Sequence, residues 1–165
     1  RVNTMAIHGV MFYLLGYGFT NLAVFFAIIA ITSKTGSDAV SSFAGMGKRS
    51  PLFAALLTLG LLSLLGMPPT VGFMAKAFVF LAAINSGLIW LAVLGMVNSA
   101  ISAYYYLRVV RTMYLDEPES DEPIDGGLSL TFVTGITAAG IAVFGIAPWF
   151  LLRFAEVAMN GIARG

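Results

Sequence analysis

Cysteine is absent from this 165-residue chain, and charge is scarce. Without a thiol, disulfides, cysteine-ligated zinc and thiol catalysis are excluded. The single histidine, His8, cannot build a histidine metal cluster on its own. Charged residues make up 10% of the chain, where a soluble domain carries about 25%. Against that stand 59% hydrophobic residues and a mean hydropathy of +0.91. A soluble chain this apolar could not cover its surface with polar groups, so a soluble enzyme is excluded. In a bilayer the outer surface should be apolar, and the difficulty disappears. The net charge of +1 offers no basic surface for a nucleic acid. The chain opens Arg1-Val2-Asn3, with no Met and no secretory signal pattern, as expected for a piece of a longer protein.

What is present is long apolar runs. A helix needs about 20 mostly apolar residues to cross a hydrocarbon core about 30 Å thick. Four stretches qualify: Ile7 to Thr32, Pro51 to Ile84, Leu88 to Leu115, and Leu128 to Phe154. They are continuous, unlike the alternating strands of about 10 residues in a membrane barrel. The fold class expected is therefore all-α, a polytopic transmembrane helix bundle of four spans in one membrane domain. Asn85-Ser86-Gly87 makes a tight uncharged turn, and the acidic, proline-containing stretch Asp116 to Pro123 marks a solvated loop. Val40 to Met46 carries a weak signal for a short interfacial helix. With four crossings, the first and third connections share a face. That face holds Lys34, Lys48, Arg49, Arg108 and Arg111, while Arg1, Arg153 and Arg164 lie opposite. The positive-inside bias then puts both connections in the cytoplasm and both ends of the chain outside.

The second stretch is anomalous. As one helix, its roughly 34 residues would reach about 50 Å. Within it lies Gly66-Met67-Pro68-Pro69-Thr70-Val71-Gly72. Adjacent prolines remove two backbone donors and clash with the preceding turn, and the flanking glycines let the chain unwind. The helix should break at Gly66, Pro68, Pro69 and Gly72, either as a packing kink or as an ion site of the kind discontinuous membrane helices form. Lys76 follows by about two turns as the only charge in the stretch. Ala77 to Ile84 continue the apolar helix beyond it, which argues against snorkelling to the interface. An intramembrane ionisable residue points to function, and burial works against its charged form, so Lys76 is the candidate proton carrier. Tyr17, Thr20, Asn21, Ser63, Asn98, Ser102 and Tyr105 are candidates for lining a water path, with Thr58 and Ser99 as further hydroxyls. Taken singly, such residues more often bond a neighbouring backbone. Gly95 and Gly140 read as close-approach positions. Tyr104-Tyr105-Tyr106 with Arg108 and Arg111 reads as an interfacial belt, and His8 as an interfacial residue.

The run from Leu61 to Lys76, Leu-Leu-Ser-Leu-Leu-Gly-Met-Pro-Pro-Thr-Val-Gly-Phe-Met-Ala-Lys, resembles the broken helix late in the antiporter-like, proton-translocating subunits of respiratory complex I, NADH:quinone oxidoreductase. Phe12 to Tyr17 fits the preceding helix of that family, and Asn98 to Arg108 looks most like its subunit N branch. The likeness runs over almost the whole chain, although the Gly-x-Pro-Pro element alone recurs across the wider antiporter-like family.

This resemblance implies a full-length subunit of about fourteen spans built on inverted repeats, of which this chain would be the last four. Lys76 falls on the family's channel lysine, with the other lysines and the glutamate upstream. It implies no cofactor in this chain, with NADH, flavin, iron–sulfur clusters and quinone handled by partner subunits. The expected partners are other complex I membrane subunits and the lipid bilayer, with no nucleic acid, and the expected place is a bacterial plasma membrane. Two alternatives share the fold: a subunit of a multisubunit sodium–proton antiporter and a membrane subunit of an energy-converting hydrogenase. A non-transporting membrane scaffold is a third reading, under which Lys76 would tolerate Met or Gln.

Overall fold

The computed structural model describes residues 4–118, 120, 122–124 and 127–153, and among these there is no strand. Helix α1 covers Thr4–Thr35. A 3-10 turn at Val40–Phe43 and the short α2, Met46–Arg49, lead into α3, Pro51–Leu65. Helix α4 covers Val71–Asn85, α5 Ile89–Leu115 and α6 Gly127–Ile146. Helices α1, α5 and α6 are long and apolar enough to cross a membrane. With 15 residues each, or about 22 Å, α3 and α4 are individually short of the hydrocarbon thickness. They are shorter apolar helices that follow one another across the break.

Local chemistry sets these limits. Pro51 opens α3, where its missing N–H costs nothing. Gly66 ends α3 in the left-handed region, with φ of +89°, which favours glycine. Thr70 caps α4 by accepting the Phe73 N–H at 3.4 Å. The break thus runs from Gly66 to Thr70, and Gly72 falls just inside α4. Gly87, with φ of +77°, turns the chain between α4 and α5. The fourth apolar run departs from the expected Leu128 to Phe154. Here α6 stops at Ile146, Ala147 is non-helical, and helix resumes over 148–153. Pro148 cannot donate to the preceding turn, and Phe154 lies outside the described residues. The stretch Val40 to Met46 forms only the 3-10 turn and the start of α2.

Helix α1 is central, packed against α3, α4 and α6, while α5 leans on α3 and α4. One buried cluster centres on Ile31, Met46, Leu57 and Met113, the other on Phe12, Val71, Ala75 and Ile141. In lipid, helices gain little by burying apolar surface from each other and associate by close packing over small residues. A Cβ on Gly16 would lie 2.8 Å from Val71 Cγ2, and one on Gly140 3.0 Å from Phe19 Cδ1. Gly72 and Gly145 are tighter: a Cβ would overlap the Ser63 carbonyl and the Pro69–Thr70 backbone respectively.

The first and third connections meet at one end of the bundle. Gly45 N–H donates to the Thr112 carbonyl at 3.3 Å, Ile124 N–H to the Arg49 carbonyl at 3.0 Å, and Arg49 Nε to the Glu122 carbonyl at 3.1 Å. Arg1 and Arg164, counted on the opposite face, lie outside the described residues.

Candidate functional site

A helix leaves its last four carbonyls without intrahelical partners. In α3 these belong to Leu62, Ser63, Leu64 and Leu65. The turn at Gly66 satisfies the first two: Met67 N–H reaches the Leu62 carbonyl at 3.0 Å, and Gly66 N–H the Ser63 carbonyl at 3.0 Å. The remaining two are taken by Lys76. Its Nζ donates to the Leu64 carbonyl at 2.8 Å and the Leu65 carbonyl at 3.0 Å. A third bond runs to Ser99 Oγ on α5, at 3.1 Å. The half-buried ammonium of α4 therefore caps the broken end of α3. Gly66 serves twice, because a Cβ there would also press on Lys76 Cδ at 3.0 Å.

Lys76 borders a cavity of about 360 Å³ between α1, α3, α4 and α5. Of the residues singled out from the sequence, Tyr17, Thr20, Ser63, Gly72, Asn98, Ser102 and Tyr105 line it together with Lys76. Asn21 does not; its amide donates to the Tyr17 carbonyl at 2.8 Å on an exposed face of α1. Pro68 and Pro69 lie in the unwound segment, with Pro69 against Gly145 of α6. Thr58 bonds its own helix, to the Ala54 carbonyl at 2.7 Å.

Two lining hydroxyls have fixed directions. Thr20 donates to the Gly16 carbonyl at 2.9 Å, so at its 2.9 Å contact with Ser63 it accepts. Ser63 in turn accepts the Gly72 N–H at 3.2 Å. The resulting chain, Gly72 to Ser63 to Thr20 to Gly16, ties α4, α3 and α1 across the break. Both side chains are essentially fully buried.

The tyrosine run divides. Tyr104 is 75% exposed and suits a belt, but Tyr105 and Tyr106 line the cavity. Tyr13, which sequence reasoning missed, joins them; its ring stacks on Tyr17 at 5.7 Å. The i, i+4 spacing of Tyr13 and Tyr17 was the available signal. The Leu64 and Leu65 carbonyls were also missed. The glycine stop at Gly66 advertised them, since it leaves two carbonyls unclaimed. His8 is half-buried with Nε2 unbonded among the described residues.

Residues 2–102 match the family model described as NADH:quinone oxidoreductase/Mrp antiporter, TM. A protein named NADH-quinone oxidoreductase subunit N, from Dehalococcoides mccartyi, is 40% identical over 148 residues, covering 90% of this chain and 30% of that protein. One named NADH-quinone oxidoreductase subunit N 1, from Solibacter usitatus, is 46% identical over 150 residues, covering 88% and 30%. The chain thus spans about a third of the length of the curated relatives it matches. Among solved structures, the membrane-bound sulfane sulfur reductase, an archaeal respiratory membrane complex, superposes with a TM-score of 0.83 at 28% identity, over 92% of this chain and 31% of that one.

Proposed function

This chain belongs to the NADH:quinone oxidoreductase/Mrp antiporter transmembrane family, and from that premise we propose that it conducts protons as part of a subunit N of NADH:quinone oxidoreductase. The observation that carries the reading is Lys76. An ammonium at membrane depth, held by two carbonyls and a hydroxyl beside a polar cavity, is costly to place there, and such residues mark ion pathways. Its three partners are neutral, so the charged form is hydrogen-bonded without being locked by a counter-ion. A lysine so placed can load a proton from water on one side and release it on the other. The coupling energy comes, on this reading, from electron transfer in partner subunits, which hold the flavin, iron–sulfur clusters and quinone and oxidise NADH. On the same reading this chain supplies no redox group. Its partners are the other membrane subunits and the lipid of a bacterial plasma membrane.

The connections that meet around Arg49 and Glu122 face the cytoplasm, because Lys34, Lys48, Arg49, Arg108 and Arg111 gather at that end. A Ser120→Cys variant in sealed, oriented vesicles is expected to react with an impermeant thiol reagent only from the cytoplasmic side. Labelling from outside only would reverse the orientation.

The assignment to a quinone reductase is tested by purifying the tagged full-length subunit in mild detergent with whatever accompanies it. The expected assembly oxidises NADH with quinone and, in vesicles, acidifies one side until an uncoupler is added. An assembly that exchanges sodium for protons with no redox activity would replace this reading with the antiporter one.

A further inference from the structure

We infer that Ser99 is the first proton acceptor after Lys76, the group through which the lysine's proton leaves for the cavity. This rests on the reading of Lys76 as a proton carrier and adds a specific exit.

Three acceptors surround Nζ. Two are the amide carbonyls of Leu64 and Leu65. A carbonyl can accept a hydrogen bond, but it has no proton of its own to pass on. The third, Ser99 Oγ, is a hydroxyl, which accepts and donates at once. Three ammonium protons thus meet three acceptors, of which one alone can relay.

The other serine and threonine hydroxyls of the cavity are tied up. Thr20 donates to the Gly16 carbonyl, Ser63 bonds Thr20 and Gly72, and Ser102 donates to the Ser99 carbonyl at 2.8 Å. Reversing any of them would break one of these bonds. Ser99 has no such obligation in its contact with Nζ, where it is the acceptor.

The step balances without any change in backbone. One Nζ–H bond breaks and a new Oγ–H bond forms. The original hydroxyl proton of Ser99 passes in concert to a water oxygen in the cavity. One proton has moved from Lys76 to that water, and the serine is restored. The neutral amine keeps two protons for the Leu64 and Leu65 carbonyls, and its lone pair now receives the Ser99 hydroxyl. About 360 Å³ is ample for the receiving water, whose share of liquid volume is about 30 Å³.

The test uses the full-length subunit in its assembled complex, reconstituted in vesicles, with proton translocation and NADH oxidation followed together. Ser99→Ala is expected to slow proton translocation about tenfold, and Ser99→Thr, which keeps the hydroxyl, to restore it. Normal translocation by Ser99→Ala, alongside a Lys76→Met variant that fails, would overturn the Ser99 step and leave Lys76 standing. Normal translocation by both would remove the reading of Lys76 itself. Equal slowing by Ser99→Ala and Ser99→Thr would make Ser99 a packing residue and end the proposal. Should Ser99→Ala fail to assemble, Ser99→Thr is compared with Ser99→Cys, whose thiol is a weak hydrogen-bonding group. A fast Thr variant with a slow Cys variant supports the relay, and equal rates sink it.

Discussion

Lys76→Met is expected to assemble into its complex and to abolish proton translocation through this subunit. Methionine offers no group that binds and releases a proton. Assembly should survive for two reasons. Removing an intramembrane charge relieves an insertion cost of about 2.5–3.5 kcal/mol on translocon scales. The Leu64 and Leu65 carbonyls, which lose their donor, border a cavity large enough for water to replace it. Lys76→Arg should keep the carbonyls capped, since a guanidinium has five donors, yet still impair translocation because arginine does not surrender its proton. The measurement is vesicle acidification per NADH oxidised. A Lys76→Met complex pumping at the wild-type ratio would make Lys76 a helix cap and nothing more.

The second large effect falls on glycines that carry no chemistry. Gly72→Ala and Gly145→Ala each place a methyl into backbone, the Ser63 carbonyl in one case and the Pro69–Thr70 peptide in the other. Backbone cannot rotate aside as a side chain does. Each variant is expected to destabilise by about 3 kcal/mol, the upper part of the usual overpacking range. The readout is a lower melting temperature and less assembled complex. Gly135→Ala is the control: nothing among the described residues lies within 4 Å of the added methyl, so it should match the wild type or gain slightly from helix propensity. If Gly72→Ala and Gly135→Ala melt alike, the close approach at the break is not required.

Much of this was legible because bilayers simplify the code. Apolar length alone gives α1 and α5, and glycine with paired prolines gives the break. Lys76 stands out because a charge in an apolar run has few explanations. Other features were hidden for identifiable reasons. The partners of Lys76 are mainly backbone carbonyls, and every residue has one, so sequence marks them only through the turn at Gly66. Asn21 looked like its polar neighbours, but its position on α1 turns it from the cavity that Tyr17 and Thr20 face. Gly145 reads as one more small residue on an apolar helix, and its contact with Pro69 is set by tertiary placement. The interruption at Ala147 was overlooked because hydropathy continues through it, although Pro148 was there to be read.

The position of α1 bears on what the break can do. This one unbroken helix touches α4 along its first half, where Phe12 meets Phe78 at a ring separation of 5.1 Å and Gly16 meets Val71. It touches α3 along its second half, where Thr20 bonds Ser63 and Val24 fits against Gly60. It therefore acts as a splint laid across a fracture. Hinging at Gly66–Thr70 would have to shear one half-helix along α1, through contacts as close as a side chain on a bare glycine. Interruption and suppleness are separable properties of a chain, and here they part company. The discontinuity hands two carbonyls to Lys76 while the splint keeps them still, so under the proposed function the parts that move would be protons and water, carried by a rigid frame.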